Sequence, residues 1–451
     1  MKGIFSCLAV LALLLSGSFA YAVSTPFSSG STGADGAFSP TSSVQLQIPP
    51  NGVFNFTTVN IPSGVTVTFA KNTVNTPVYV LATGDVNIAG TIDVSGGNAI
   101  ALMPGPGGPG GFDGGYGGGS GTGGKGLGPG GGVPGIPNSA ECEPGAPGGY
   151  GTSTGGYGCT GVVYGNIQII PFIGGSGGGG GSYSNNDAGA GGGGGGGAIL
   201  IASSGTINIT GSILANGGQG AYCSAAPYCD SGGNGSGGAI KLMANTISGN
   251  GSISAVGASG NYNNIGGYGR IRLEANQITR TALSSPVYTF IVEPGPVFVS
   301  NIPSLQITSI AGQPVQNPSG SYGTPDITLP AGTTNPVQVG ISAANIPTGT
   351  VITVSVVPQL GAASNYSSTG LAGTLQSSTA TASVTLSLTV PCVLMAQTTF
   401  NIQTAMNYNG EKIKSVVVAS KMGGGSQVTY ITASGKKIPA EKLFASLNWK
   451  K

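Results

Sequence analysis

One segment of this chain recurs along its length, and the recurrence limits the fold more than any other feature. Val78-Tyr-Val-Leu-Ala-Thr-Gly-Asp-Val-Asn-Ile-Ala-Gly-Thr-Ile92 aligns without a gap on Ile199-Leu-Ile-Ala-Ser-Ser-Gly-Thr-Ile-Asn-Ile-Thr-Gly-Ser-Ile213. A third copy, Ile240 to Ile253, is one residue shorter, and a truncated fourth runs from Ile271 to Ile278. Within each copy apolar residues alternate with small or polar ones, the period of a strand with one face buried. A repeat of this size cannot bury its apolar face alone, but stacked copies share one core. The sequence therefore predicts an all-β parallel β-solenoid (β-helix). Val80, Ile201, Leu242 and Leu273 should form one inward row. Val86, Ile207, Ile247 and Ile278 should form a second, and Ile92, Ile213 and Ile253 a third. An earlier turn of the same structure is expected between Val44 and Phe69.

Glycine accounts for 86 of the 451 residues and is concentrated between the copies. The longest interruption, 98–196, is dominated by it. Shorter ones span 219–237 and 257–269. They break the repeat at one phase, so they should leave a solenoid from one edge. Sequence this rich in glycine is not expected to pack a core of its own. Gly161–Ile173 is the exception and could add a strand.

The composition changes near Ser300, where Thr, Ser, Val and Pro replace glycine. Alternating segments at 305–310, 337–341, 351–357 and 382–390 have the size and spacing of an immunoglobulin-like β-sandwich. The reading is thus a signal peptide at 1–22, a parallel β-helix at 23–299 and a sandwich at 300–408. A basic C-terminal β-hairpin and tail, with a short helix over 440–447, completes it at 409–451. The first of these rests on Lys2, the apolar run Ile4–Leu15 and the small-x-small motif Ala20-Tyr21-Ala22, with Val23 as the first mature residue. The run is too short to span a bilayer, and no later segment is apolar for long enough, so no transmembrane segment is expected in the mature chain.

Export implies an oxidising compartment. Of the five cysteines beyond the leader, Cys142 and Cys159 bracket one loop and Cys223 and Cys229 another, so a disulfide is expected within each. Cys392 is left over in an apolar run and expected to be buried. Zinc binding is disfavoured because histidine is absent and no Cys-x-x-Cys pair occurs.

The absence of histidine also removes His-based nucleophiles, bases and metal sites. The remaining candidates are carboxylates. Asp85 and Asp93 lie eight residues apart in one copy, where the next copy has Thr206 and Leu214, and so read as corner or solvent-facing residues. Arg270, Arg272 and Glu274 alternate as a solvated outer face would. Gly119–Lys125 has phosphate-loop glycine spacing, but Gly126 stands where Ser or Thr is required. Gly107–Asp113 approaches a calcium-binding nonapeptide with its aspartate displaced. No catalytic, cofactor or metal site is expected. The net charge of +2 argues against a nucleic-acid partner. From Glu411 to Lys451, eight lysines and two glutamates give 8 − 2 = +6, read as a solubilising tail, with docking on acidic polysaccharide or an anionic surface as the alternative.

The segments Gly-Ala-Ile-Leu-Ile-Ala…Ile-Asn-Ile-Thr-Gly-Ser-Ile-Leu-Ala-Asn-Gly-Gly (197–218) and Gly-Gly-Ala-Ile-Lys-Leu (237–242) resemble those of bacterial exported glycine-rich parallel β-helix proteins. That group includes filamentous-haemagglutinin-like adhesins and the pectin-lyase-like superfamily. The resemblance covers roughly residues 31–280. It implies an architecture and transfers no catalytic residue. The expected function is that of a secreted or cell-surface structural or adhesive protein without catalytic activity, with cell-surface or matrix polysaccharide as its partner. A carbohydrate-binding protein and a polysaccharide-degrading β-helix enzyme are the alternatives.

Overall fold

The computed structural model describes residues 26–443 except 73–74, 120, 139–143, 154–159, 171, 184–186, 223–229, 261–264, 299–301, 316–324, 359–361, 390, 402–405, 421–424 and 441–442. The leader, most of the expected terminal helix and all four cysteines expected to pair lie outside the described residues. Among those described the chain is all-β, and no helix is long and apolar enough to cross a membrane.

The first half contains β1 (Val44–Gln47), β2 (Val53–Phe56), β3 (Val59–Ile61), β4 (Thr66–Ala70), β5 (Val78–Ala82), β6 (Val86–Ile88) and β7 (Thr91–Asp93). These are followed by β8 (Ala198–Ile209), β9 (Ser212–Leu214), β10 (Ala239–Ser248), β11 (Ser252–Ser254), β12 (Arg270–Ile278) and β13 (Thr289–Ile291). They pair in parallel, in two sheets. One has the order β1-β4-β7-β9-β11. The other has the order β13-β12-β10-β8-β5-β2, with β3 and β6 paired alongside and β6 also pairing β8.

The registers join equivalent positions of the repeat. Val80, Ile201, Leu242 and Leu273 are successive partners, and the row ends on Phe290. Val86, Ile207, Ile247 and Ile278 form the second row, and Ile92, Ile213 and Ile253 the third. All but Ile278 and Phe290 of these are buried in one core. A one-residue slip would turn every one of these side chains outward, so burial fixes the register. The residue by which the third copy is short is absorbed at a bulge, where Ala244 pairs with Ser203 and Thr246 with Thr206.

The second half is antiparallel: β14 (Ser304–Ile310), β15 (Gln313–Pro314), β16 (Val337–Ala344), β17 (Val351–Pro358), β18 (Ser364–Gly370), β19 (Ala372–Gly373), β20 (Ser378–Val384), β21 (Cys392–Asn401), β22 (Asn407–Tyr408), β23 (Glu411–Ser420), β24 (Ser426–Thr432) and β25 (Lys437–Pro439). They form one curled sheet whose two parts meet at the single pairing Ser368↔Ala382. The curl brings β14 against β21, β23 and β24. There the Ser426 hydroxyl accepts from the Leu305 N–H and donates to the Leu305 carbonyl. The sheet runs past the expected boundary at 408/409, because β23–β25 bury Ile413, Val416, Val418, Tyr430 and Ile438 in the same core as Leu305, Val339 and Val354. Cys392 is half-buried, and its thiol donates to the Ser387 carbonyl.

Candidate functional surface

The glycine-rich segments do pack, contrary to the sequence expectation. Gly175, Gly178 and Gly181 donate to Gly196, Gly193 and Ala190, and their carbonyls accept from Phe112, Gly115 and Gly118. Each bond to a given neighbour comes three residues after the last. A β ladder repeats every two residues, whereas a polyproline-II-type helix repeats every three. These segments are therefore three-fold extended helices, and their interior backbone bonds outward in several directions. The central segment 175–181 also donates to Leu127, Gly124 and Ala146, and accepts from Gly132, Gly135, Ser236 and Gly233. It is thus surrounded by chain from 112–118, 124–127, 132–135, 146, 190–196 and 233–236.

Such contact excludes side chains. A Cβ on Gly180 would fall within bonding range of the Tyr116 carbonyl, and one on Gly178 would meet the Gly233 carbonyl. The result is a lattice whose interior is almost entirely backbone, with its polar groups mutually satisfied. The lattice unites all three interruptions. Gly148 of the long one donates to Asn234 of the second, and Gly267 of the third donates to Gly148. It joins the parallel sheets at one corner, where Gly197 donates to Val94, Gly238 to Ala215 and Gly269 to Ala255. Among its described residues, the segment 161–173 adds no β-strand. Its Tyr164 N–H donates to the Tyr150 carbonyl, and its Phe172 packs on Tyr79.

On one side of the lattice Ile100, Leu102, Met103 and Tyr116 are exposed, with Ile100 at 76%. They are neighbours because Gly117 donates to the Leu102 carbonyl. Val162, Val163 and Tyr268 are exposed elsewhere on it. Two tyrosines turn inward. Tyr150 and Tyr164 lie with ring centroids 4.6 Å apart, and the Arg270 guanidinium carbon is 5.7 Å from the Tyr150 centroid. Burial pushes both phenols well above their ordinary value, partly countered by Arg270. Tyr150 donates to the Ile173 carbonyl, and Tyr164 donates to Gly174. The group pins the lattice to the sheet.

The sequence candidates are scattered. Asp85 accepts from the Thr206 N–H at 2.7 Å, bracing the corner of the adjacent copy, while Asp93 accepts from Ser95 N–H at 2.8 Å. Asp113 accepts from Gly107 N–H at 2.7 Å and pairs with Lys71 at 3.0 Å. Lys125 is exposed in the lattice. Among the described residues no group of three or more metal-ligating side chains converges.

Arg272 and Glu274 correct the sequence reading, because neither is solvated. Glu274 Oε1 lies 2.6 Å from Arg272 Nε and 3.0 Å from Lys241 Nζ, and all three are buried. Burial alone would raise the Glu274 pKa, but Lys241 and Arg272 outweigh it and hold the carboxyl below its ordinary value. The cover comes from remote chain. Phe27, Phe172 and Val297 pack with Leu81, Leu200 and Met243 on this outer face, and Gly295 N–H donates to Glu274 Oε2. Alternation reports which face a side chain takes, but not whether a distant segment covers that face. The physical reason for Lys241 is the same: its row partner in the preceding copy is Leu200.

No protein-family model, curated protein or solved structure matches this chain.

Proposed function

We propose that the chain is an exported structural or adhesive protein of the cell surface or extracellular matrix, and that it lacks catalytic activity. In this reading the stacked copies are a β-solenoid, the antiparallel half is an immunoglobulin-like sandwich, and the glycine lattice is the display surface. The observation that carries it is the lattice. It is a platform, hydrogen-bonded internally through its own backbone, that leaves one corner of the sheets and presents Ile100, Leu102, Met103 and Tyr116 outward. Asp85 and Asp93, held by backbone N–H groups, and Asp113, held by backbone and Lys71, support the same reading. The leader motif ending at Ala22 supports export.

Fractionation of the native host, with N-terminal sequencing of the recovered protein, tests it. The expected result is a surface or extracellular chain beginning at Val23. Recovery in the cytoplasm with Met1 retained overturns it. Turnover of pectate, alginate, cellulose or chitin, abolished by Asp85→Asn or Asp93→Asn, would overturn the non-catalytic part.

A further inference from the structure

The charges of this chain are segregated. Between residues 300 and 410 the only ionisable acid or base among Asp, Glu, Lys and Arg is Asp326, whereas 411–451 holds eight lysines. Four of these lie on the strands and a turn of the curled sheet. Lys412 and Lys414 flank the buried Ile413 on β23, and Lys437 precedes the buried Ile438 on β25. Lys436 occupies the turn between β24 and β25, with its Nζ 5.6 Å from the Tyr408 ring centroid. All four are exposed. β23 and β25 pair on either side of β24, which places them about 10 Å apart at ordinary strand spacing.

None of the four forms a salt bridge among the described residues. Among the described residues the one nearby carboxylate is Glu411, which accepts from the Ser434 N–H at 2.6 Å and feels the charge of Lys436. Counting the described residues, the patch carries 4 − 1 = +3, within roughly a Debye length at about 0.1 M salt. Mutually repelling cations held on strands gain from a partner that brings repeated negative charge.

We infer that this end of the curled sheet, formed by Lys412, Lys414, Lys436 and Lys437, binds an acidic polysaccharide. Lysines are compact point charges that follow a line of carboxylates without demanding the planar geometry of bidentate pairing. A membrane surface fits less well: no large apolar side chain in the described part of 407–439 is exposed to insert between lipids. A single-stranded nucleic acid requires open aromatic platforms, and here the Tyr408 ring already carries Lys436. The neighbouring Asn407 is exposed and offers an amide whose donors and acceptor suit sugar hydroxyls.

This inference rests on the proposed export only for the whereabouts of the polymer, so binding and localisation are tested separately. The purified mature chain is titrated with polygalacturonate, neutral dextran and phosphatidylglycerol vesicles, at low and high salt. Polygalacturonate should bind, dextran should not, and affinity should fall about tenfold or more as salt screens the patch. The combined variant Lys412→Gln, Lys414→Gln, Lys436→Gln, Lys437→Gln should lose about tenfold or more, and the four-arginine counterpart should retain binding. Circular dichroism of both variants should match the wild type, since all four side chains are exposed. Unchanged affinity in the glutamine variant, no binding by the wild type, or binding to vesicles alone would each overturn the assignment.

Discussion

Ile207 and Gly180 both sit at the centre of a core, and they are held there by opposite means. Ile207 is buried among Ile, Val and Leu rows of the parallel sheets, where side chains fill the space and can shift a little around a defect. Gly180 is surrounded by carbonyls and N–H groups of neighbouring chain, donating to Gly124 and accepting from Gly135. Its surroundings are fixed by hydrogen bonds at every third residue and leave no room for even one methyl group. The sheets are stabilised by apolar surface removed from water, at about 25 cal/mol per Å². The lattice gains little from that source. It depends on many backbone hydrogen bonds worth about 1 kcal/mol each, offset by the large chain entropy of glycine.

The severest tests place a wrong group in each core. Gly180→Val should prevent the lattice from closing, at a cost above about 4 kcal/mol. Limited proteolysis should then cut within 98–196 or 219–237 while the strands of the parallel sheets, β8 and β9 among them, remain protected. Ile207→Asp should cost on the order of 2–5 kcal/mol or more in the sheets, whereas Asn208→Asp, one residue along on the outer face, should stay within about 0.5 kcal/mol. Thermal unfolding of the three variants decides this. Equal tolerance of Gly180→Val and Asn208→Asp would dissolve the distinction between the two cores.

The outer face of the sheets gives the next largest effect. Glu274→Gln removes the partner of two buried cations and should cost about 3–5 kcal/mol. Replacing Lys241, Arg272 and Glu274 together by Met, Met and Leu should be close to neutral. A pH dependence follows. The folded pKa of Glu274 is depressed, so its contribution is complete above the ordinary value of 4.5 and is lost as pH falls through the depressed one. The wild-type melting temperature should therefore drop in acid below about pH 4.5 more steeply than that of Glu274→Gln. Parallel curves would mean that the ion cluster contributes nothing.

The smallest steps sharpen the comparison most. Ile207→Val deletes one methylene-sized group and should cost about 0.5–1.5 kcal/mol. Gly180→Ala adds one and should cost above about 3 kcal/mol, because backbone rather than side chain must yield. Gly121→Ala, which meets nothing within 4 Å, should lie within about 0.5 kcal/mol of wild type. Denaturant titration of the three measures the order. A cost for Gly121→Ala equal to that of Gly180→Ala would show that lost chain flexibility, and not the close contact, sets the price.

The sequence alone determined the strand rows of the first half. Apolar alternation marks a buried face, and equivalent residues in aligned copies must meet if the copies stack, so Val80, Ile201, Leu242 and Leu273 were legible as one row. It also located the three glycine-rich departures at one phase of the repeat. What those departures build was decided only in three dimensions. Glycine has no side chain whose periodicity could report a direction, and the bonds that order it, such as Gly267 to Gly148, join residues far apart in the chain. The ion cluster was hidden for a related reason. Arg272 and Glu274 announce a polar face by their spacing, but Phe27, Phe172 and Gly295, which close over that face, reach it through tertiary packing that no local pattern records.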